Sequence, residues 1–213
     1  MKRRIISMLW VLSVVPFFVV SCSKEPVSTP GVYLEINGVP LQQGNDNNMI
    51  DIENNGIGIE FCLLNAAGFP ATTFEKGEKI IFHLALTNNV QPDSVMFIVS
   101  DFLKNPDLFR VYRSDGKSKG QPISWVISDL RTDAVNDLSY GEKWVLDIPW
   151  RTKKDQIRIF QHYFKGMGRP ALPKGSYYTE FSQAFCLGRH LPHPQTDYVC
   201  TDTLTLKISF VIK

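Results

Sequence analysis

The stretch Leu204-Thr205-Leu206-Lys207-Ile208-Ser209-Phe210-Val211-Ile212 decides how this chain is read. Leu204, Leu206, Ile208, Phe210 and Ile212 recur with a period of two, and Thr205, Lys207, Ser209 and Val211 fill the alternate positions. In an extended strand successive side chains point to opposite faces. One unbroken large apolar face therefore predicts a strand lying on a core.

The same pattern recurs toward the N-terminus. In Lys79–Asn88, Ile80, Phe82, Leu84 and Leu86 face one way, while Ile81, His83, Ala85 and Thr87 face the other. Val32–Ile36 alternates and runs into Asn37-Gly38, a hairpin signal. Further strands are expected over residues 58–64, 94–99, 108–113, 123–127, 143–148 and 176–185, and over 156–165. No run longer than ten residues carries a helical period. The prediction is all-β: a β-sandwich of about nine or ten short strands. One domain over 32–213 is expected. The alternative is a small hairpin module over 32–55 leaning on a sandwich from about residue 56.

The first residues read differently. Lys2, Arg3 and Arg4 precede the apolar run Ile5–Val20, the layout of a secretory signal. Val19-Val20-Ser21-Cys22 resembles the lipobox of bacterial lipoproteins. That resemblance implies removal of residues 1–21 and acylation of Cys22. The mature chain would then hang from a membrane by lipid, since two or more acyl chains anchor stably. Ser23, next to the cysteine, resembles the sorting signal of outer-membrane lipoproteins, which implies the outer membrane of the cell envelope rather than the inner one. Residues 22–31 contain Pro26 and Pro30 and read as an extended tether.

Losing residues 1–21 removes three cations and no carboxylate. The mature chain has 20 Lys and Arg against 21 Asp and Glu, a formal charge of −1. No basic cluster stands out along the sequence, so nucleic acid is not an expected partner.

Several turn signals fall in a familiar order. Gly77-Glu78 precedes the strand ending Leu86-Thr87-Asn88, Asp115-Gly116 follows Val111-Tyr112, and Gly141-Glu142 precedes Trp144. Pro173-Lys174-Gly175-Ser176-Tyr177 opens the penultimate strand. The series resembles the immunoglobulin-like sandwich of the BsuPI-type (intracellular proteinase inhibitor) domain, over roughly residues 70–213. The resemblance implies an immunoglobulin-like fold. The glycines serve turns, and the tyrosine serves a corner that bonds back to the backbone. These motifs carry no chemistry, and the segments 151–172 and 187–199 are longer than that pattern.

Chemistry-bearing residues concentrate in CLGRHLPHPQTDYVC, residues 186–200. Cys186 and Cys200 flank one connection and are expected to pair in an oxidising compartment. Cys62, among Phe61, Leu63 and Leu64, is expected to be a buried small hydrophobe, with a Cys62–Cys186 pair as the lesser alternative. His190 and His193 could share a metal on a helix, but Pro192 and Pro194 forbid one. Asp46, Asp51 and Glu53 do not match the spacing of a calcium loop. His83 has no partner legible in sequence, and His162 sits among aromatics. No nucleophile elbow or paired catalytic carboxylates are present.

No cofactor or metal is therefore expected, and no catalysis. The expectation is a lipid-anchored binding module for a protein or a glycan, with Arg189, His190, His193 and Tyr198 on a loop between the last two strands. Tyr178 is expected to join Tyr198 in any aromatic platform, while most of Trp125, Trp144, Trp150, Tyr163, Phe164 and Tyr177 belong in the core. A proteinase-inhibitor-like module presenting residues 186–200 is the second reading. An enzyme or metal site at that loop is the third.

Overall fold

The structure is a computed structural model describing residues 29–41, 48–92, 95–125, 137–159, 162–190 and 196–213. The expected signal segment 1–21, Cys22, Asp46 and His193 lie outside the described residues, as do the side chains of Trp125, His162, Tyr163 and His190. The chain is an all-β sandwich. Among the described residues it has eighteen strands in four sheets.

The largest sheet has the order β2-β1-β18-β15-β8-β9. It comprises β1 (Gly31–Ile36), β2 (Val39–Leu41), β8 (Val111–Arg113), β9 (Ser118–Gly120), β15 (Gly175–Gln183) and β18 (Leu204–Ile212), with β5 (Thr73–Phe74) joining β18 in parallel. Facing it is the sheet β12-β6-β4-β3, from β3 (Met49–Asn54), β4 (Ile57–Leu64), β6 (Ile81–Asn88) and β12 (Lys143–Pro149). A third sheet, β11-β7-β16-β17, contains β7 (Met96–Val99), β11 (Asp137–Leu138), β16 (Cys186–His190) and β17 (Thr196–Cys200). A fourth holds β10 (Ile123–Trp125), β13 (Gln156–Ile159) and β14 (His162–Gly166).

The strand count exceeds the nine or ten expected. Strands of two or three residues, such as β2, β5 and β11, are too short to show a period and exist only because a longer neighbour pairs with them. The segment 156–165 is a hairpin, not one strand. Residues 102–104 lie in a 3-10 turn at Ser100–Lys104, and residues 105–109 follow it before β8. Residues 32–55 divide between the two largest sheets, because β1 pairs with β18 and β3 with β4.

The expected faces are the buried ones. Leu204, Leu206, Ile208, Phe210 and Ile212 are all buried, as are Phe82, Leu84 and Leu86. Phe61 of β4 meets Phe181 of β15 edge-on at 5.1 Å, and Phe82 meets Phe109 at 5.2 Å. Phe109 reaches that central position with a left-handed backbone (φ 59°), uncommon for so bulky a residue. Trp150 is buried and donates Nε1–H to Pro170 O at 2.8 Å. Trp144 packs edge-on against Phe102.

The turn motifs take the structural roles expected of them. In Glu75-Lys76-Gly77-Glu78, the Glu78 carboxylate accepts the Glu75 N–H at 2.8 Å and Glu78 N–H bonds to Glu75 O. Ser139-Tyr140-Gly141-Glu142 repeats the device, with Ser139 N–H donating to the Glu142 carboxylate at 2.9 Å. Both require glycine at the third position, where φ is 87° and 76°. Tyr177 O–H donates to Pro173 O at 2.8 Å, forming the expected corner.

The sandwich has two distinct ends, roughly 27 Å apart along β18 at about 3.4 Å per residue. At the Leu204 end lie the Asn37-Gly38 and Asn55-Gly56 turns and the β16–β17 hairpin. At the Ile212 end lie the turn after β4, the start of β6, the end of β12 and the start of β15. The N-terminal segment enters β1 at Gly31, which pairs with Ser209, so it comes in from the Ile212 end.

Candidate functional site

The segment 186–200 is a β-hairpin rather than the expected loop. β16 and β17 pair antiparallel in register from Cys186↔Cys200 to His190↔Thr196. The sequence pattern missed it because the prolines that break strands, Pro192 and Pro194, are confined between the two strands. Cys186 and Cys200 are bonded as expected, with 4.1 Å between Cα atoms. The disulfide thus links directly opposite residues at the hairpin base.

Below the disulfide the chain is gripped by side chains from both large sheets. Thr201 N–H bonds to Phe185 O at 2.9 Å, and Phe185 N–H returns to Thr201 Oγ1 at 3.0 Å. Asn55 Nδ2 donates to Cys200 O at 2.9 Å. Asp202 accepts Asn37 Nδ2 on one carboxylate oxygen and Asn54 Nδ2 on the other, each at 3.1 Å. Asn54 Oδ1 in turn accepts the Asp202 N–H at 2.8 Å. These two side-chain bonds, first Asn54 and then Asn37, hold the Asp202 carboxyl below its ordinary pKa of 3.8. The sequence marks none of Asn37, Asn54, Asn55 or Asp202 as a site residue. Asn37 and Asn55 sit in Asn-Gly hairpin turns, which sequence reveals; what those turns touch, it does not.

The hairpin's outer face carries aromatic surface. Phe97 of β7 lies over Gly188, where an added Cβ would come within 2.3 Å of its ring. Tyr198 meets Phe97 edge-on at 6.3 Å and remains 54% exposed. Arg189 alternates with Gly188 and so points to the opposite face, where it donates Nη2–H to Gln91 Oε1 at 2.9 Å. Arg189 and Tyr198 therefore do not converge, contrary to the single-loop expectation. Of the two histidines, only the backbone of His190 is described, at the end of β16 in register with Thr196.

Tyr178 also departs from expectation. It lies in the largest sheet, whereas Tyr198 lies in the third. Its ring stacks on Tyr112 at 5.2 Å from the β8 side, and Lys207 Nζ lies 4.7 Å from its centroid from the β18 side. Both ring faces are taken, so Tyr178 is not an open stacking platform. Beside it is an open polar cleft of about 440 Å³ lined by Asn105, Asp107, Tyr112, Glu180 and Ser182.

A third cluster appears only through register. Cys62 pairs with His83, and His83 with Asp147, so one row across β4, β6 and β12 carries a thiol, an imidazole and a carboxylate. His83 Nδ1 lies 2.7 Å from Asp147 Oδ1, supplying the partner sequence could not name. Glu60, two positions along β4 on the same face, forms an ion pair with Lys143 of β12 diagonally across the sheet. Cys62 is 1% exposed and the only described cysteine that is free. Burial, then the Glu60 and Asp147 charges, push its thiol up to about 12. An attacking thiol needs the opposite shift. Among the described residues no group of three His, Cys, Asp or Glu side chains could hold a metal ion, and no helix is long and apolar enough to cross a membrane.

No family model matches the chain, and no curated protein or solved structure matches it either.

Proposed function

We propose that this protein is a lipid-anchored module of the cell envelope, held to the outer membrane through Cys22, that binds a protein ligand without catalysing a reaction. The observation carrying this reading is the seat of the β16–β17 hairpin. It is stapled at its base, clamped by Asn37, Asn54 and Asn55, and sits at the end of the sandwich away from the tether. A stiff hairpin loses little freedom on binding. β17 is the outer strand of its sheet among the described residues. Such an edge can pair with an extended segment of another chain. Tyr198 adds exposed aromatic area of the kind enriched at interfaces.

The test places a photo-crosslinking amino acid at position 198 and, as a control, at position 33 on the far sheet. A protein adduct specific to position 198 and lost in C186A/C200A supports the reading. Adducts equal from both positions, or a hit on a glycan array that needs Tyr112 and not Tyr198, would sink it. The same stapled hairpin supports the proteinase-inhibitor-like reading. That reading requires near-stoichiometric inhibition of some member of a protease panel at micromolar concentration.

A further inference from the structure

The mature chain is nearly neutral, yet the Ile212 end of the sandwich is not. Three connections meet there: 65–80 after β4, 149–156 after β12, and 166–175 before β15. Their backbones are tied together by Lys76 N–H to Lys213 O, Trp150 N–H to Ile80 O, Gly166 N–H to Asp155 O and Val211 N–H to Thr72 O. Together they carry seven Lys or Arg against three Asp or Glu, a net of +4 on a mature chain of −1. Lys76, Lys79, Arg151, Lys153, Lys154 and Lys174 are all exposed. One of the three carboxylates, Glu78, is already bonded to the Glu75 N–H.

The same end carries an aromatic tip. Phe69 is 67% exposed on a turn whose shape is fixed by Asn65. The Asn65 side chain accepts both Ala67 N–H and Phe69 N–H at 3.0 Å, and Asn65 N–H bonds to Phe69 O. The turn thus holds an apolar ring outward rather than letting it fold onto the core.

We infer that this end is a membrane-docking surface for anionic phospholipid headgroups, set against the bilayer that carries the anchor. The inference rests on the proposed lipidation for its orientation, because the N-terminal segment enters the sheet from this end. About ten residues of tether, 22–31, would keep the domain within tens of ångströms of the bilayer. Within that range dispersed lysines and an exposed aromatic are drawn to an anionic interface. The consequence is orientation: the sandwich stands on its basic end with the β16–β17 hairpin outward. Sequence concealed the surface because its cations lie in three separate connections, each with acidic neighbours or few charges.

The full-length acylated protein is mixed with vesicles of phosphatidylcholine alone, or with phosphatidylglycerol added. Flotation is measured, together with lysine acetylation by mass spectrometry. On anionic vesicles Lys153 and Lys154 should react about fivefold more slowly than on neutral ones, while Lys143 and Lys207 stay unchanged. The contrast should vanish at high salt and in K153E/K154E, two exposed positions that do not threaten folding. Flotation with both vesicle types but equal labelling would overturn the docking surface and leave the anchor. Flotation with anionic vesicles alone, lost at high salt, would overturn the anchor and keep the surface. Binding to a DNA duplex in place of any lipid contrast would overturn the inference in favour of a nucleic-acid partner.

Discussion

Asn37 and Asp202, 165 positions apart, are joined by a 3.1 Å hydrogen bond that closes the first hairpin turn onto the segment leading out of the disulfide. With Asn54 on its other oxygen, Asp202 is the point where the two large sheets and the β16–β17 hairpin meet. D202A should lower stability at neutral pH. The sign follows from the depressed pKa: the carboxylate stabilises the fold above 3.8, and this is lost as pH falls through the lower folded value. The gap between wild type and D202A, measured by urea denaturation, should therefore narrow as pH falls below 3.8. A gap independent of pH would mean the charge contributes nothing.

Cys62 gives the opposite pH signature. Its thiol ordinarily titrates at 9.0 and is raised to about 12 in the fold. The native state keeps a proton that the unfolded state gives up, so stability falls as pH rises from 9.0 toward 12. C62A should show a shallower decline over that window. The native protein should also resist thiol reagents at pH 8. After denaturation without reductant, the chain acylated at Cys22 as proposed should expose one thiol.

The disulfide closes a loop of about fifteen residues, worth roughly 3 kcal/mol on the chain-entropy estimate. C186A/C200A should lose about that much or less. The Thr201–Phe185 pair and the asparagine clamp remain, so the sandwich core should survive. Amide exchange should accelerate in residues 186–200 and stay slow in β18. Acceleration of both together would show that the hairpin is integral to the core.

Gly188 is constrained by packing rather than by a turn. G188V would drive a branched side chain into the Phe97 ring, and overpacking of this kind costs about 1–3 kcal/mol. The displaced ring should change Tyr198 fluorescence. If stability and fluorescence both match wild type, the hairpin does not pack as described.

Y177F removes the corner bond to Pro173 O while keeping the ring against Phe210. The expected loss is about 1 kcal/mol by thermal denaturation. G141A, which forces alanine into a left-handed turn, should lose about 1–2 kcal/mol.

The fold class was legible because side-chain alternation is a local property. A strand's two faces follow from its own residues, and β6 and β18 bury the faces their sequences assign. The pairing of Cys186 with Cys200 was legible for a similar reason, since two cysteines flanking one segment in an oxidising compartment have few other choices. The corner tyrosine and the Gly-Glu turns belong with them, each spanning four or five residues.

What the tertiary structure alone decided is which distant residues share a row or an end. His83 found Asp147 through the register of β6 and β12, and Asn37 found Asp202 through the pairing of β1 with β18. The basic end exists because three connections dispersed over a hundred residues close over one edge of the core. Register is fixed cooperatively, by a whole buried face fitting its neighbours, and no window of sequence contains that information. The alternation told which side of each strand turns inward, and only the packed sheets told what stands beside it.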